Sequence, residues 1–352
     1  MPKPALDIAY LFAENARARI KEVAQIVKKS PQRVKYSLGV LEKEEYLHMP
    51  HAVFDYSYMG LLMFRAYFSG GYINEEEKAA IIQSLEQNPY VVGMYEMSSG
   101  YDLVVEMVAP NPSRFNKEIK KIASLPNLSN YTPIVNVVSH IYPKQYLASL
   151  VQNVPKEIII GGDRDVLDFT ENEMLMIKAL SEHPRQRIVK IAKTLGMHVR
   201  TANAVIKSLK NKKFLKGFKF VINSNKLGVR KVRLFLGLHN ISADREEELL
   251  DFCLKTEEIV QLNKTIGDWD IEIDIASFDE QRIRVITAQI RQSFKDLIQS
   301  FATADLYNLY KKSYLPRYLW IREEPVDPSK SAKNLNTMTP LHNNNSVFLA
   351  HN

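Results

Sequence analysis

Two kinds of apolar spacing alternate along this chain. Ile20, Val23, Ala24 and Val27 recur at i, i+3, i+4 and i+7, the stripe of one helical face. After Lys28-Lys29, Val34, Leu38 and Leu41 continue at helical period behind Ser30-Pro31. The serine hydroxyl suits an N-cap, and the proline suits the first helical position, where no amide partner is lost. Beyond Gly60 the pattern predicts strands at Leu61–Phe68, Val91–Met97, Leu103–Val108 and Tyr131–Tyr142, with helices at Glu75–Gln87 and Pro112–Ser124. That β-α-β-β-α-β order describes a ferredoxin-like unit, an antiparallel sheet with both helices on one face.

The same course then returns. Ala24 falls on Ala192, a shift of 168 residues, and the register also matches Leu41 with Leu209, Leu47 with Leu215, Gly60 with Gly228 and Asp102 with Asp270. Agreement over so long a stretch implies two copies of a domain pair, not a solenoid of short units. In the second copy Ile188, Ile191, Ala192 and Leu195 form one stripe; Ala202, Val205, Ile206 and Leu209 form the next, after a Gly196-Met197 turn. Thr170-Glu171-Asn172-Glu173 reads as a capping box, with Phe169 and Met174 placed as a hydrophobic staple. The second α/β unit reads Lys231–Leu238, Ala243–Thr256, Ile259–Thr265, Ile271–Ala276, Glu280–Gln299 and Ala302–Tyr310. Helix caps agree with the shift: Asn74 matches Ser242, and Asn111 matches Asp279. The uncovered face of each sheet is expected to be apolar, so the sheets should pack in pairs.

The expected fold class is therefore α+β, with two winged helix-turn-helix domains and two ferredoxin-like domains in tandem. Residues 1–58 and 169–226 form the helical heads, and residues 59–147 and 227–320 form the effector or dimerisation domains. Residues 148–168 read as a linker in which Ile158-Ile159-Ile160 allows a short strand. The stretch 323–352, rich in Asn, Ser and Pro, is expected to have no stable fold.

Composition narrows the class of function. Apolar residues at 45% and charged residues at 25% describe an ordinary globular chain, with no apolar run of the length of a membrane span. MPKPALDIAY lacks the pattern of a signal peptide, so a cytoplasmic location is expected. A single cysteine, Cys253, excludes an intrachain disulfide framework and a cysteine-based zinc cluster. The eight histidines are scattered, and neither an activated nucleophile nor a Gly-rich phosphate loop is visible. No metal, cofactor or catalysis is expected. The net charge of +7 favours a polyanionic partner.

That charge is concentrated. Between His183 and Phe220 lie eleven Lys and Arg and no acid, whereas a solvated helical face usually mixes signs. The paired stripes alone signify only helical packing; the charge points to double-stranded DNA. In the first copy Gln32, Arg33, Lys35 and Tyr36 face outward behind Ser30, although Glu42, Glu44 and Glu45 make the helix end less basic. In the second copy Arg187, His198, Arg200, Thr201, Asn203 and Lys207 are the outward candidates. Arg33 and Arg200 suit guanine, and Gln32 and Asn203 suit adenine. The strips His51-Ala52-Val53-Phe54 and Phe218-Lys219-Phe220-Val221 read as wings, with Lys216 and Lys219 available to phosphates.

A further pair of matched segments joins the middle strands. Thr265-Ile266-Gly267-Asp268-Trp269-Asp270 corresponds to Ser98-Ser99-Gly100-Tyr101-Asp102. Glycine there permits a tight turn or close approach to a ligand. Two readings stand: a small-molecule pocket, or a hairpin whose aspartate caps local amides.

Taken together these segments resemble the Lrp/AsnC family of transcription regulators. The residues that carry the likeness are Asn15-Ala16-Arg17, Val23-Ala24, Ser30-Pro31, Leu41-Glu42, Gly60 and Tyr101-Asp102 in the first copy. In the second they are Pro184-Arg185, Ile191-Ala192, Leu195-Gly196, Leu209, Lys216-Gly217-Phe218, Leu227-Gly228 and Gly267-Asp268-Trp269-Asp270. The resemblance implies binding to DNA as dimers or larger assemblies, and an effector, often an amino acid, near the Gly-x-aromatic-Asp turn between sensing domains. It implicates Gly267, Asp268 and Asp270, together with Gly100 and Asp102. The first copy departs from the pattern with Ser99 in place of Gly267. Gly39, inside its recognition helix, costs about 1 kcal/mol relative to Ala.

Family members carry one copy, so the resemblance implies a covalent pseudo-dimer with two unequal reading heads, open to further homo-oligomerisation. Its half-sites would lie about 34 Å apart or at a multiple of that. Two alternatives remain open at this point. One is an enzyme on the same architecture, as in siroheme decarboxylases; the other is a sensing or assembly protein that has lost DNA binding.

Overall fold

Each half of the protein begins with three short helices, whose apolar stripes are too narrow to be buried by any one of them alone. The computed structural model describes residues 5–321 apart from 71–73, 126–127, 149–156 and 240–241. In the first half, α1 (Leu6–Glu14), α2 (Ile20–Ile26) and α3 (Pro31–Lys43) lead into β1 (Leu47–Phe54). The α/β unit follows as β2 (Leu62–Phe68), α4 (Glu75–Gln87), β3 (Val91–Met97), β4 (Leu103–Ala109), α5 (Pro112–Ala123) and β5 (Tyr131–Ile141). A short β6 (Ile158–Gly161) precedes the second half.

That half repeats the order with α6 (Glu171–Glu182), α7 (Ile188–Thr194), α8 (Val199–Asn211) and β7 (Leu215–Ile222). A one-turn α9 (Ser224–Leu227) leads to β8 (Arg230–Leu238), α10 (Ala243–Lys255), β9 (Ile259–Ile266) and β10 (Ile271–Ser277). The course ends with α11 (Glu280–Ser293) and β11 (Ile298–Lys312). The fold is α+β, with winged helix-turn-helix and ferredoxin-like parts.

Local chemistry accounts for the element starts. Ser30 accepts the Arg33 amide at the head of α3, and Thr170 and Glu173 form both bonds of the capping box on α6. Asn74, Asn111, Ser242 and Asp279 each cap their helix with a side-chain oxygen. Gly60 and Gly228 both turn the chain in the left-handed region, at φ 68° and 71°.

The strands make a ring. Its order is β2-β4-β3-β11-β8-β10-β9-β5, and β5 pairs again with β2 to close it, while β6 pairs with β5 beyond the stretch that β2 occupies. Each half contributes four neighbouring strands. The halves are joined edge to edge by β3 with β11 and by β5 with β9, so neither sheet keeps an open edge in the ring. The chain up to Arg317 is accordingly one compact unit. The last helix stops at Ser293 rather than reaching Gln299, because β11 must be long enough to pair with β8 through its first part and β3 through its second.

Outside the ring, packing is apolar. Phe64 of β2 stacks on Phe115 of α5 at 4.3 Å, and Leu234 and Ile273 bury against Leu249 and Ile286. Inside, the expectation of an apolar face is corrected. Arg65, Glu106, Arg233, Glu272 and Asp274 all point into the barrel at 3% exposure or less. Closure gives each charge a fixed opposite partner, which is the condition for burying it. Arg65 Nε donates to Glu106 at 3.1 Å, Arg233 Nε donates to Asp274 at 2.6 Å, and Arg65 also pairs with Glu272.

The expected short strand in the linker is present as β6, on β5. Residues 149–156 of the linker and the tail at 323–352 lie outside the described residues. Among the described residues no helix is long and apolar enough to cross a membrane.

Candidate nucleic-acid interface

The first recognition helix, α3, is anchored by Val34, Leu38 and Leu41, all buried. The helical period then forces Gln32, Arg33, Lys35 and Tyr36 to the other side, where all four are exposed, Tyr36 at 74%. Helix α8 is held in the same way by Ala202, Ile206 and Leu209. Arg200, Thr201, Asn203 and Lys207 are exposed along it; His198 stands exposed at its N-cap, and Arg187 at that of α7. Asn203 Nδ2 is engaged locally with the Val199 carbonyl at 3.0 Å. Each head thus presents a polar face on a helix fixed from behind.

The expected wings are different. β1 and β7 pair with each other, antiparallel, with His51 opposite Lys219 and Ala52 opposite Phe218. Their side chains therefore join the two heads. Lys219 is only 4% exposed and its ammonium is bound to Glu14 of α1. Lys216 is half-buried, 3.4 Å from Asp55. These two lysines are corrected from backbone contacts to internal ion pairs: each ammonium is held by a carboxylate of the chain and is largely withdrawn from solvent. Burial and the neighbouring Lys144 outweigh Glu14 and push the Lys219 ammonium down to about 8.

Two of the acids that make the first head less basic are engaged by the second half: Glu42 pairs with Arg185, and Glu45 with Lys226 at 2.6 Å.

The turn residues are held by local backbone bonds. Asp102 Oδ2 accepts the Gly70 amide at 3.0 Å and Asp270 Oδ2 accepts the Leu238 amide at 2.7 Å, the same bond in both halves. This is the capping reading of the hairpin. Gly267 has φ 155° and lies so close to β5 that an added Cβ would sit 2.4 Å from Ile134. Gly100 faces open space and Asp268 is exposed. The aromatics between them turn inward: Tyr101 and Trp269 lie 6.1 Å apart and, with Tyr67 and Phe235, fill one end of the barrel.

A polar system not anticipated from the sequence fills the other end. A cavity of about 210 Å³ opens between the β1–β7 ribbon and the barrel, bordered by His51, Lys144, Lys231, Arg233, Asp274 and Lys312. Burial holds His51 at about 3, against a smaller upward pull from its bond to the Met49 carbonyl. Burial would raise Glu106, but Lys312 and Arg65 outweigh it and keep the carboxyl at about 2. A signal was there to find. Arg65 with Arg233, Glu106 with Asp274 and Lys144 with Lys312 all obey the shift of 168, and the first four are charges within predicted strands. Among the described residues no group of three or more His, Cys, Asp or Glu is placed to hold a metal ion.

Comparison with known proteins follows the same lines. No family model matches the chain. It is 31% identical over 98 residues to the HTH-type transcriptional regulator Ptr1 of Methanocaldococcus jannaschii, a match covering 28% of this chain and 65% of that one. The HTH-type transcriptional regulator FL11 of Pyrococcus abyssi is 25% identical over 130 residues, or 37% of this chain and 80% of the regulator. Among solved structures, the siroheme decarboxylase NirDL aligns over 88% of this chain and 93% of its own with a TM-score of 0.54, at 13% sequence identity. The last likeness is one of fold, and the first two are similarities to regulators with a helix-turn-helix.

Proposed function

We propose that this protein is a sequence-specific DNA-binding transcriptional regulator of the Lrp/AsnC type, built as a tandem duplication that is its own pseudo-dimer. The observation that carries this reading is the pair of exposed faces on α3 and α8, each backed by a buried stripe. The regulator relatives support it. Lys and Arg on these faces neutralise phosphates, while Gln32, Arg33, Arg200 and Asn203 meet base edges. Two heads of unlike sequence suit an asymmetric pair of half-sites. A small molecule such as an amino acid modulates the complex, and the protein works in the cytoplasm.

The test is binding of the purified chain to the promoter of its own gene across a range of salt. Specific binding with a steep salt slope is expected, flattened by Arg200→Ala and Lys207→Ala. Equal affinity for promoter and unrelated duplex would overturn the reading.

A second reading, an enzyme on the same architecture, draws on the fold likeness to NirDL. The cavity beside the ribbon, at about 210 Å³, is below the roughly 300–1,000 Å³ of clefts for drug-sized ligands, whereas the groove bordered by α1, α2 and the start of β7 is larger, at about 690 Å³. Incubation with siroheme, followed for release of carbon dioxide, separates the two readings.

A further inference from the structure

The cavity beside the β1–β7 ribbon is lined by more positive charge than its surroundings can balance. Inside the barrel, Arg65, Lys231, Arg233 and Lys312 face Glu106, Glu272 and Asp274 through a linked set of ion pairs. At the ribbon, Lys144 and Lys219 share the single carboxylate of Glu14. Each set is one carboxylate short. His51, between them, is held neutral by burial and adds no charge of its own.

Uncompensated charge in a largely buried site is costly, and it resolves by loss of a proton or by binding of an anion. The donors for an anion are in place. Lys231 Nζ is 3.1 Å from Asp274, Lys312 Nζ is 3.0 Å from Glu106, and Lys144 Nζ is 3.4 Å from Glu14. An ammonium has three N–H groups, so each of these lysines retains donors for a further acceptor. Lys144 and Lys312 come from equivalent positions in the two halves, which sets one lysine of each half on the same cavity.

The remaining wall describes the body of the ligand. Ile141, Val260, Ala276, Leu306 and Leu309 contribute apolar surface. A bare inorganic ion would leave that surface unused. A cavity of about 150 Å³ holds benzene, so the volume of about 210 Å³ here admits a compact organic molecule.

We propose that this cavity binds a small organic dianion, a short dicarboxylate or a phosphate monoester, held between Lys144, Lys231 and Lys312. The ligand sits where β1 and β7, strands of the heads, meet β8 to β11 of the barrel, so its presence ties the heads to the barrel. Control of DNA binding by this route rests on the regulator reading above; occupancy of the cavity does not. The depressed Lys219 ammonium is consistent with a surplus of positive charge at the site.

Calorimetric titration and thermal shift of the full chain at low salt, with malonate, succinate, glutarate and glycerol phosphate, provide the test. Saturable binding with a raised Tm is expected for at least one of them. Binding of the dicarboxylates alone assigns the carboxylate source, and binding of glycerol phosphate alone assigns the phosphate source. Lys144→Met and Lys231→Met should each weaken binding about tenfold. Both variants keep their carboxylates paired, Glu14 with Lys219 and Asp274 with Arg233, so the fold is preserved. Lys117→Met, on the exposed side of α5, should bind as the parent does. No saturable binding of any probe at millimolar concentration, or undiminished binding in both cavity variants, overturns the proposal. Anion binding without any DNA binding would sink the regulator reading alone.

Discussion

Arg17 and Arg185 stand 168 residues apart and each reaches into the other's head. Arg17 Nε donates to the Pro184 carbonyl at 2.7 Å and its Nη2 to the Gln186 carbonyl, while Arg185 Nε donates to the Ala16 carbonyl at 3.2 Å. Ala16 and Pro184 are themselves related by the same shift, so the exchange is reciprocal. Arg17 also lies over the Phe218 ring at 4.5 Å, and Arg185 over Phe220 at 4.7 Å. The heads are joined through backbone acceptors read by a guanidinium.

Replacing Arg17 by Ala strands both carbonyls in a partly buried place. The expected loss is about 1–3 kcal/mol in urea unfolding. Arg17→Lys should recover little of it, since an ammonium lacks the planar fork. A fully stable Arg17→Ala protein would show that this contact is dispensable.

Arg65 is the centre of the barrel's charge layer, and its removal should be more serious. Arg65→Met leaves Glu106 with Lys312 and Glu272 with Arg233 at 3.4 Å, but removes the nearer of the two cations that hold Glu272. Taking one partner from a buried pair costs about 3–5 kcal/mol. Combining Arg65→Met with Glu272→Gln should restore part of that stability, because Glu272, left with the more distant Arg233 alone, is then neutral. Equal stability of the single and double variants would count against an electrostatic origin.

Stability should fall in acid in two stages. His51 is held at about 3, below its ordinary value near 6.5, so the unfolded chain binds more protons and stability declines as pH drops below about 6.5. Glu106 at about 2 is depressed from 4.5; its contribution is full above the unfolded value and is lost as pH falls from 4.5 towards 2. Burial opposes the low value of Glu14, yet Lys144 and Lys219 also bring it to about 2, and it follows the same course. Burial also lowers His48, so chemical unfolding at intervals of pH should show the shallow limb diminish in His51→Gln while the steep limb remains.

DNA binding should separate the exposed cations from the internal ones. Arg200→Ala and Lys207→Ala should reduce affinity and flatten the salt slope, as both side chains are exposed on α8. Lys216→Met should lower stability through Asp55 and leave the slope unchanged. A flattened slope in Lys216→Met would restore the ribbon to the DNA interface.

Much of this architecture was legible before any coordinates. Period and caps located the helices, because Ser30, Asn74, Asn111, Thr170 and Ser242 act on amides within a few residues of themselves. The outward set on α3 and α8 followed from helical geometry alone. The ribbon was not legible, since pairing β1 with β7 depends on how the halves meet and not on either strand. Nor was the charge layer. Arg65 and Asp274 lie on faces expected to be apolar and paired, and only closure of the ring supplies the opposite charges that let them be buried. At the turns, pocket and capped hairpin stayed open as alternatives because a short motif does not say which way Tyr101 and Trp269 point.

Closure of the ring also governs the order in which the chain becomes protein. Met97 in β3 finds its partner, Leu306, only when β11 has been made. A nascent chain lacking β11 would expose the edges of β3 and β8 and leave Arg233 and Asp274 in an unsealed interior, a state open to mispairing with neighbours. Pairing so distant in sequence slows folding. Deletion of β11 is thus a route to aggregation on the ribosome, where a chaperone would have to shield both edges until synthesis ends.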